Sequence, residues 1–280
     1  MLVQFPTGTG KTEVGVRLAV GWAMSRPYGR AIVAVPSAPI LEQFFRRLVQ
    51  STRLPVAVEK AAARAGRGAR IVVASQASLW GRLGQYDRET LLLYDECHHG
   101  NLDAPRNLRV AGSFKHVVGF SATPWTLGCE RLFAKSERVT LALTEAQRLG
   151  LVAPLEVQPW REPRGPWGLV FCGDNASCAA RAAGLPGSSW VGVDSGEVTA
   201  RIAAWRAGRV PVLFANRMLV EGFDEPRCAE VWLAKETDSD ILYAQMAGRA
   251  LRPRAGKMAR VYCETAGIAA GLRAALKRCG

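Results

Sequence analysis

A glycine-rich loop near the start of the chain restricts the possible folds more than any other feature. Residues 6–12 read Pro-Thr-Gly-Thr-Gly-Lys-Thr. A short apolar run at residues 2–5 predicts a strand before the loop, and the amphipathic residues 13–20 predict a helix after it. In this arrangement glycine lets backbone N–H groups close around phosphates, and the helix N-terminus adds its positive end. The pattern therefore predicts a nucleotide-binding site.

The individual residues of the loop have expected roles. The predicted nucleotide-binding residues are Pro6, Thr7, Gly8, Thr9, Gly10, Lys11 and Thr12. Lys11 is expected to reach the β- and γ-phosphates, and the Thr12 hydroxyl is expected to ligate Mg²⁺. The general form of the loop has glycine where this chain has Phe5, so the sequence is a variant, and a chance glycine-rich turn is the alternative.

Chain length and composition limit the number of domains and the class of protein. A chain of 280 residues is long enough for about two domains. Apolar, β-rich runs alternate with helical stretches, which predicts an α/β fold with parallel sheets. No apolar segment approaches the length that crosses a bilayer, and the N-terminus lacks the features of an export signal. We therefore expect a soluble, cytoplasmic protein without a membrane partner.

Cysteine usage and charge bear on cofactors and partners. Seven cysteines without a Cys-x-x-Cys pair favour reduced thiols over a disulfide framework. Cys97, His98 and His99 are consecutive, and consecutive residues rarely bind one ion, so a structural metal is disfavoured. The net charge of +13 favours a polyanionic partner, with a solvated basic surface as the alternative.

Polar clusters follow several predicted strands. Strands are predicted over residues 30–36, 71–74, 91–94 and 117–120, and a helix over residues 40–50. Strands are also predicted near residues 169, 190, 212, 231 and 261, with helices over residues 198–206 and 241–251. In open α/β sheets, ligands bind at the carboxyl ends of the strands. We therefore expect the polar residues at these ends to form the functional sites.

Asp95 and Glu96 form the second chemical signal. They follow the apolar sequence Leu-Leu-Leu-Tyr directly. A carboxylate at such a strand end can hold Mg²⁺ through water, and its neighbour can accept a proton from the water that attacks the γ-phosphate. A solvated acidic pair is the alternative, but the phosphate loop upstream in the same α/β stretch favours catalysis.

Together these motifs resemble superfamily-two helicases and translocases of the DExH/DEAD-box type, in particular the repair- and restriction-type DNA helicases. In order, residues 6–12 resemble motif I, 35–37 motif Ia, 75–78 motif Ib, 95–98 motif II, 121–123 motif III, 169–172 motif IV, 216–226 motif V and 245–253 motif VI. The resemblance implies two tandem RecA-like (P-loop NTPase) domains with mainly parallel sheets. It places an ATP-binding domain at residues 1–152 and a helicase C-terminal domain at residues 153–280, with a hinge near residues 149–167.

The resemblance also implies roles for single residues. ATP and Mg²⁺ lie between the two domains in such enzymes, with Arg252 as the arginine finger, Arg249 as a second γ-phosphate contact and Gln245 as a sensor of hydrolysis. Asp224, in motif V, senses the nucleotide. His98 couples hydrolysis to motif III or motif VI, and Ser121 and Thr123 link the two domains. The alternatives are an exposed basic helix end for the arginines, a turn cap for Asp224 and a hydrogen-bonded histidine at a strand end for His98.

Nucleic acid is the implied partner, and translocation is the implied output. The candidate nucleic-acid contacts are Pro36, Ser37, Ser75, Gln76, Gly173, Asp174 and Arg217. Small polar groups suit contact with phosphates without base readout. The hinge and motif V passages resemble DNA-acting members, so DNA is favoured over RNA. An RNA-directed DExH protein and a weakly hydrolysing, ATP-gated nucleic-acid-binding or recruitment module are the alternatives.

The position of motif I in the chain leads to two further expectations. Five residues precede Pro6, so the upstream glutamine that reads adenine in many relatives lies outside the sequence. We therefore expect weak discrimination between nucleobases. The sequence also contains no accessory domain, which indicates either a minimal motor that depends on an accessory protein for substrate specificity or a fragment of a longer reading frame.

Overall fold

The structure is a computed structural model that describes residues 1–82, 85–99, 102–220 and 223–279. The chain divides into two compact units. The first unit comprises Met1–Phe5 and Gly10–Leu141, and the second comprises Pro6–Thr9 and Ala142–Gly280. The predicted boundary between residues 152 and 153 remains a prediction.

The first unit contains a seven-stranded parallel sheet. Its strands are β1 (Leu2–Gln4), β2 (Ala31–Val35), β3 (Val56–Glu59), β4 (Ile71–Ser75), β5 (Leu91–Asp95), β6 (His116–Ser121) and β7 (Arg138–Thr140). Its helices are α1 (Lys11–Met24), α2 (Ala38–Ser51), α3 (Gln76–Leu79), α4 (Pro105–Ala111) and α5 (Leu127–Leu132). The strand order is β3-β4-β2-β5-β6-β1-β7, so β5 and β6 are neighbours and their carboxyl ends meet.

The central strands of this sheet are apolar on both faces. In β5, Leu91 and Leu93 pack in one core cluster with Phe44, whereas Leu92 and Tyr94 pack in a second cluster. Successive side chains of a strand point to opposite faces, so both faces of the sheet are covered. This explains why the strand before Asp95 is a continuous apolar run rather than an alternating one.

The second unit contains a six-stranded parallel sheet. Its strands are β8 (Leu155–Pro159), β9 (Gly168–Cys172), β10 (Ser189–Val191), β11 (Val212–Ala215), β12 (Glu230–Ala234) and β13 (Ala259–Cys263). Its helices are α6 (Leu143–Arg148), α7 (Asn175–Ala183), α8 (Val198–Arg206), α9 (Asp240–Ala247) and α10 (Ala266–Arg278). The strand order is β10-β11-β9-β12-β13-β8. Two parallel sheets with interspersed helices confirm the predicted α/β fold class.

Two elements differ from the sequence-based expectations. The helix predicted over residues 241–251 ends at Ala247, because residues 249–251 continue as turns with i to i−3 hydrogen bonds before Pro253. The predicted hinge region contains β8, which pairs in parallel with β13 at the edge of the second sheet. Part of the expected linker is therefore ordered sheet.

The helices and the cysteines bear on membrane-spanning segments and disulfides. Within the described ranges, no helix combines the length and apolar character needed to span a bilayer. The described cysteines form no disulfide, and each is buried: Cys97, Cys129, Cys172, Cys178, Cys228, Cys263 and Cys279.

Candidate nucleotide site

The phosphate loop connects β1 to α1 through two glycines in the left-handed region. Gly8 has φ 99° and Gly10 has φ 90°, a conformation that L side chains rarely adopt. Gly10 lies at the N-cap of α1. The Thr9 hydroxyl donates to the Pro6 carbonyl at 2.8 Å and closes the turn. The two glycines thus allow the tight backbone path that a phosphate-binding loop needs.

Lys11 begins α1, and its side chain lies close to the loop. The residue is only 8% exposed, and its ammonium donates to the Phe5 carbonyl at 3.1 Å. The positive charge of Lys11 also acts on Asp95. It opposes the overall rise in the Asp95 pKa that burial causes. An anionic ligand at the loop would therefore gain from the Lys11 ammonium and from the positive end of the helix N-terminus.

Asp95 and Glu96 lie at the carboxyl end of β5. Asp95 is buried, and Gln76 fixes its backbone by donating to its carbonyl at 2.8 Å. Burial, together with the adjacent charge of Glu96, raises the pKa of Asp95 to about 7, although Lys11 opposes the shift. The carboxylate is therefore costly to hold in its charged form, and a cation beside it would relieve that cost.

The donors near the loop suit Mg²⁺. A carboxylate from Asp95 and a hydroxyl from Thr12 are oxygen ligands, the class that this hard cation prefers. The raised pKa of the buried Asp95 indicates a carboxylate whose charge lacks full compensation from the protein. These two residues therefore fit a magnesium ion bound together with phosphate oxygens.

Glu96 has an unusual backbone conformation. Its φ is 45°, in the left-handed region, and its carbonyl accepts a hydrogen bond from the His99 N–H at 2.9 Å. A non-glycine residue in this region costs of the order of 1 kcal/mol or more, and such residues concentrate at functional sites. The turn directs the chain sharply away from β5 directly after the buried Asp95.

The predicted coupling residues lie together beside Glu96. The His98 Nδ1 is hydrogen-bonded to the Ser121 hydroxyl at 2.7 Å and lies 3.6 Å from Glu96 Oε2. The Thr123 N–H donates to the same Ser121 oxygen at 2.9 Å. Because β5 and β6 are neighbours, the ends of motifs II and III form one polar cluster. His98 is thus a hydrogen-bonded histidine at a strand end, and it also contacts the candidate base.

The predicted residues of the second unit form a separate group. Gln245 and Arg249 are buried, and Arg249 donates to the Phe223 carbonyl at 2.5 Å and the Gln245 carbonyl at 3.3 Å. Arg252 Nε lies 3.1 Å from Asp224 Oδ1. Residues of motif VI therefore contact motif V twice. Arg249 donates to a motif V carbonyl, and Arg252 forms an ion pair with Asp224.

The phosphate-loop tip, Pro6–Thr9, groups with this second unit. A methyl group added at Gly8 would lie 3.7 Å from Cδ of Arg252 and 3.5 Å from Cγ1 of Val152. One added at Gly248 would approach the Thr7 Cβ to 3.0 Å. The Arg252 side chain therefore lies beside Gly8 within the second unit.

The candidate nucleic-acid contacts differ in accessibility. Gly173, Asp174 and Arg217 are exposed, whereas Pro36, Ser37 and Ser75 are half-buried and Gln76 is buried. Ser75 accepts from the Ser78 N–H at 3.3 Å, and Asp174 accepts from the Ser177 N–H at 2.7 Å. Both side chains therefore cap helices. The amide of Gln76 is used to hold Asp95, which gives it a positioning role, and its contact with nucleic acid stays a prediction.

Lys235, which follows the carboxyl end of β12, is a further candidate that the sequence analysis did not include. Its ammonium donates to Asn216 Oδ1 at 3.4 Å, and burial, together with the nearby charge of Arg217, lowers its pKa. The rule that ligands bind at the carboxyl ends of strands would have found it. Glu221 and Gly222 of predicted motif V lie outside the described residues.

Comparison with known sequences finds one family similarity in the N-terminal part of the chain. Residues 1–126 match the family model described as type III restriction enzyme, res subunit. No curated protein matches the sequence. The matched range contains motifs I to III and therefore the phosphate loop, Asp95 and Glu96.

Solved structures share the fold of the whole chain. S. cerevisiae Dbp5 bound to RNA and ADP BeF3 is similar with a TM-score of 0.69 and 15% identity, over 100% of this chain and 82% of that one. A fragment of a putative HsdR subunit of a type I restriction enzyme from Vibrio vulnificus YJ016 has a TM-score of 0.71 and 17% identity. The match covers 94% of this chain and 59% of that one. The type ISP restriction-modification enzyme LlaBIII bound to DNA has a TM-score of 0.72 and 12% identity. The match covers 99% of this chain and 28% of that one.

The likeness to these structures supports the RecA-like architecture predicted for both units. The chain spans about a quarter of LlaBIII, since it covers 28% of that protein. Residues 1–126 are therefore similar in sequence to a restriction-enzyme res subunit, and the two units share their α/β fold with these solved structures.

Proposed function

We propose that the chain is a nucleic-acid-stimulated ATPase that couples ATP hydrolysis to movement along a strand. The observation that carries the proposal is the convergence of Lys11, Asp95 and Glu96 at the end of the first sheet, next to a loop with two left-handed glycines. The proposed domains are residues 1–152 and 153–280, each with one of the two sheets.

The residues of the first unit have distinct proposed tasks. Lys11 and the N-terminus of α1 bind the phosphates, and Asp95 with Thr12 holds Mg²⁺. The bound ion would neutralise charge on the phosphate oxygens. Glu96 accepts the proton of the attacking water, which places the general base one residue after the metal ligand. His98, which is 3.6 Å from Glu96 and bonded to Ser121, holds the base in position.

The second unit is proposed to supply positive charge to the developing transition state. Arg252 is the finger, Arg249 is a second phosphate contact, and Gln245 and Asp224 sense the nucleotide. The 3.1 Å approach of Arg252 Nε to Asp224 Oδ1 supports this assignment, since it places these two proposed nucleotide contacts next to each other.

Removal of the proposed arginine finger is expected to affect hydrolysis rather than binding. Arg252→Ala should keep ATP affinity within severalfold and reduce turnover roughly tenfold or more, since one preorganised donor at a developing charge contributes at least that much. Steady-state ATPase and equilibrium ATP-binding measurements check the two parts separately. Arg254→Ala is the matched control, because Arg254 is an exposed arginine two residues further along. Unchanged turnover in Arg252→Ala would shift the role to Arg249.

DNA is the proposed partner, and two similarities favour it. LlaBIII is bound to DNA, and the family model describes a restriction-enzyme subunit. Dbp5 is bound to RNA, which keeps RNA as the second candidate. Steady-state ATPase measured with duplex DNA, single-stranded DNA and RNA distinguishes a DNA motor, an RNA-directed protein and a weakly hydrolysing binding module.

Nucleic acid is expected to stimulate ATPase several-fold, and binding should weaken steeply as salt rises, because contacts with phosphates release counterions. The net charge of +13 is consistent with such an electrostatic contribution. Titration of nucleic acid at several salt concentrations measures both effects. Lys11→Ala is the control: it should abolish the stimulation but keep nucleic-acid binding. The non-motor alternative would be favoured if nucleic-acid affinity did not change with salt concentration. It would also be favoured if no nucleic acid stimulated the ATPase activity.

A further inference from the structure

Residues 223–226 of motif V lie outside the helices and strands of the second unit. Their backbone carbonyls therefore need partners other than a helix or a sheet. The Phe223 carbonyl accepts a hydrogen bond from Arg249 at 2.5 Å, and the Pro226 carbonyl accepts one from the Lys257 ammonium at 2.9 Å. Two cations from later in the chain thus hold this segment through its backbone.

Lys257 makes a second hydrogen bond of the same kind. Its ammonium donates to the Arg252 carbonyl at 2.8 Å, and Arg252 also lies outside the helices and strands. The Lys257 N–H donates to the Arg254 carbonyl at 3.0 Å and closes a turn, in which Gly256 has φ 68° in the left-handed region. This turn brings Lys257 back toward Arg252. One ammonium therefore joins the backbone of motif V to the backbone of motif VI.

The Lys257 bridge differs in kind from the other contact between Arg252 and motif V. The Arg252 Nε lies 3.1 Å from Asp224 Oδ1, so that contact uses the guanidinium itself. A guanidinium that turns to a phosphate loses some of its contact with a carboxylate, because both compete for the same N–H groups. The Lys257 bonds go to backbone carbonyls and do not enter this competition. They can keep the Arg252 backbone beside motif V while the side chain changes partner.

The surroundings of Lys257 make its charge sensitive to pH. The residue is half-buried, and burial lowers the pKa of its ammonium to about 8. Arg252 and Arg254 lower this pKa as well, whereas Cys228 and Glu225 act in the opposite direction. An ordinary lysine keeps its proton to about pH 10. A neutral amine donates weaker hydrogen bonds than an ammonium, so the bridge should weaken as pH rises through about 8.

We infer that Lys257 is a positioning residue for the proposed arginine finger. By binding the Pro226 and Arg252 carbonyls together, it fixes the backbone from which the Arg252 side chain acts. This role rests on the function proposed for Arg252, since Lys257 acts through that residue.

Lys257→Met removes the ammonium and keeps a side chain of similar length. In the full chain, we expect ATPase turnover near neutral pH to fall at least about tenfold, because a small displacement of a catalytic group can cost that much or more. ATP affinity should stay within about threefold of wild type, since both hydrogen bonds of the ammonium go to the backbone. Lys257→Arg should restore most of the turnover, because a guanidinium can also donate to two carbonyls. Steady-state ATPase, equilibrium ATP binding and thermal melting measure these effects.

A pH series separates positioning from a general structural role. Between about pH 7 and about pH 9, the ratio of Lys257→Arg turnover to wild-type turnover should rise severalfold. The reason is that the wild type loses the Lys257 proton in this range, whereas the guanidinium keeps its charge. Other titrating groups are present in both proteins and cancel in the ratio. Lys277→Met is the matched control, because Lys277 is an exposed lysine on α10 of the same unit, and its turnover should equal that of wild type.

Three results would overturn the role of Lys257. They are wild-type turnover in Lys257→Met, a Lys257→Arg to wild-type ratio that stays flat with pH, and a loss of turnover matched by an equal loss of ATP affinity. The activity of the wild type distinguishes this role from the proposed function. A wild type that hydrolyses no ATP would contradict the proposed function and this role with it, whereas equal hydrolysis by wild type and Lys257→Met would contradict only the role of Lys257.

Discussion

Glu96→Gln should bind ATP as the wild type does but hydrolyse it at least about a hundredfold more slowly, because general-base catalysis commonly contributes that much. A hundredfold loss corresponds to about 2.7 kcal/mol in the activation free energy. Glutamine has nearly the same shape as glutamate, so the turn at φ 45° and the contact with His98 can persist. The substitution thus removes a proton acceptor with little change in geometry. Single-turnover hydrolysis and equilibrium ATP binding measure the two effects.

Glu42→Gln provides the control for loss of a carboxylate. Glu42 is an exposed glutamate on α2 that pairs with Arg46 at 2.7 Å, and its replacement should leave turnover unchanged. Full-rate hydrolysis by Glu96→Gln would remove Glu96 from the mechanism. Loss of ATP binding would instead indicate that the carboxylate shapes the phosphate site.

Local patterns were sufficient to predict the centres of most strands and the helix that follows the glycine-rich loop. The continuous apolar run Leu91–Asp95 indicates a strand buried on both faces, and the core clusters on either side of β5 confirm this. Helix α8 has the predicted bounds, Val198–Arg206. In such segments, local periodicity and tertiary burial favour the same structure.

The edge strand β10 was predicted near residue 190, but the edge strands β3, β7 and β8 could not be predicted in this way. The strands β3, β7 and β8 lie at edges of their sheets, where one side has no neighbour within the described sheet. The residues of β7 are exposed throughout, so no alternation of apolar and polar residues marks it. These strands form because a neighbouring strand offers backbone hydrogen bonds, and that neighbour is distant in sequence.

The hydrogen-bond partners of the motif residues also could not be predicted from the sequence. His98 was predicted to couple hydrolysis to other motifs, but its 2.7 Å bond to Ser121 depends on the adjacency of β5 and β6. Gln76 was assigned to nucleic acid from its position after a strand, and the structure shows its amide on the Asp95 carbonyl. A strand-end position indicates which sheet edge a residue occupies but does not determine its hydrogen-bond partner.

Lys11→Ala should weaken ATP binding at least about a hundredfold, which is the loss of about 2.7 kcal/mol expected when a charge-assisted contact with phosphate disappears. Lys11 is buried, and its charge lowers the pKa of Asp95, so its removal also raises that pKa further above its usual range. The lost positive charge disfavours the anionic ligand, and a protonated Asp95 would hold Mg²⁺ less well. A fluorescent ATP analogue measures affinity, with Lys135→Ala as the control because Lys135 is exposed and outside the loop. Affinity within about threefold of wild type would show that backbone N–H groups alone hold the phosphates.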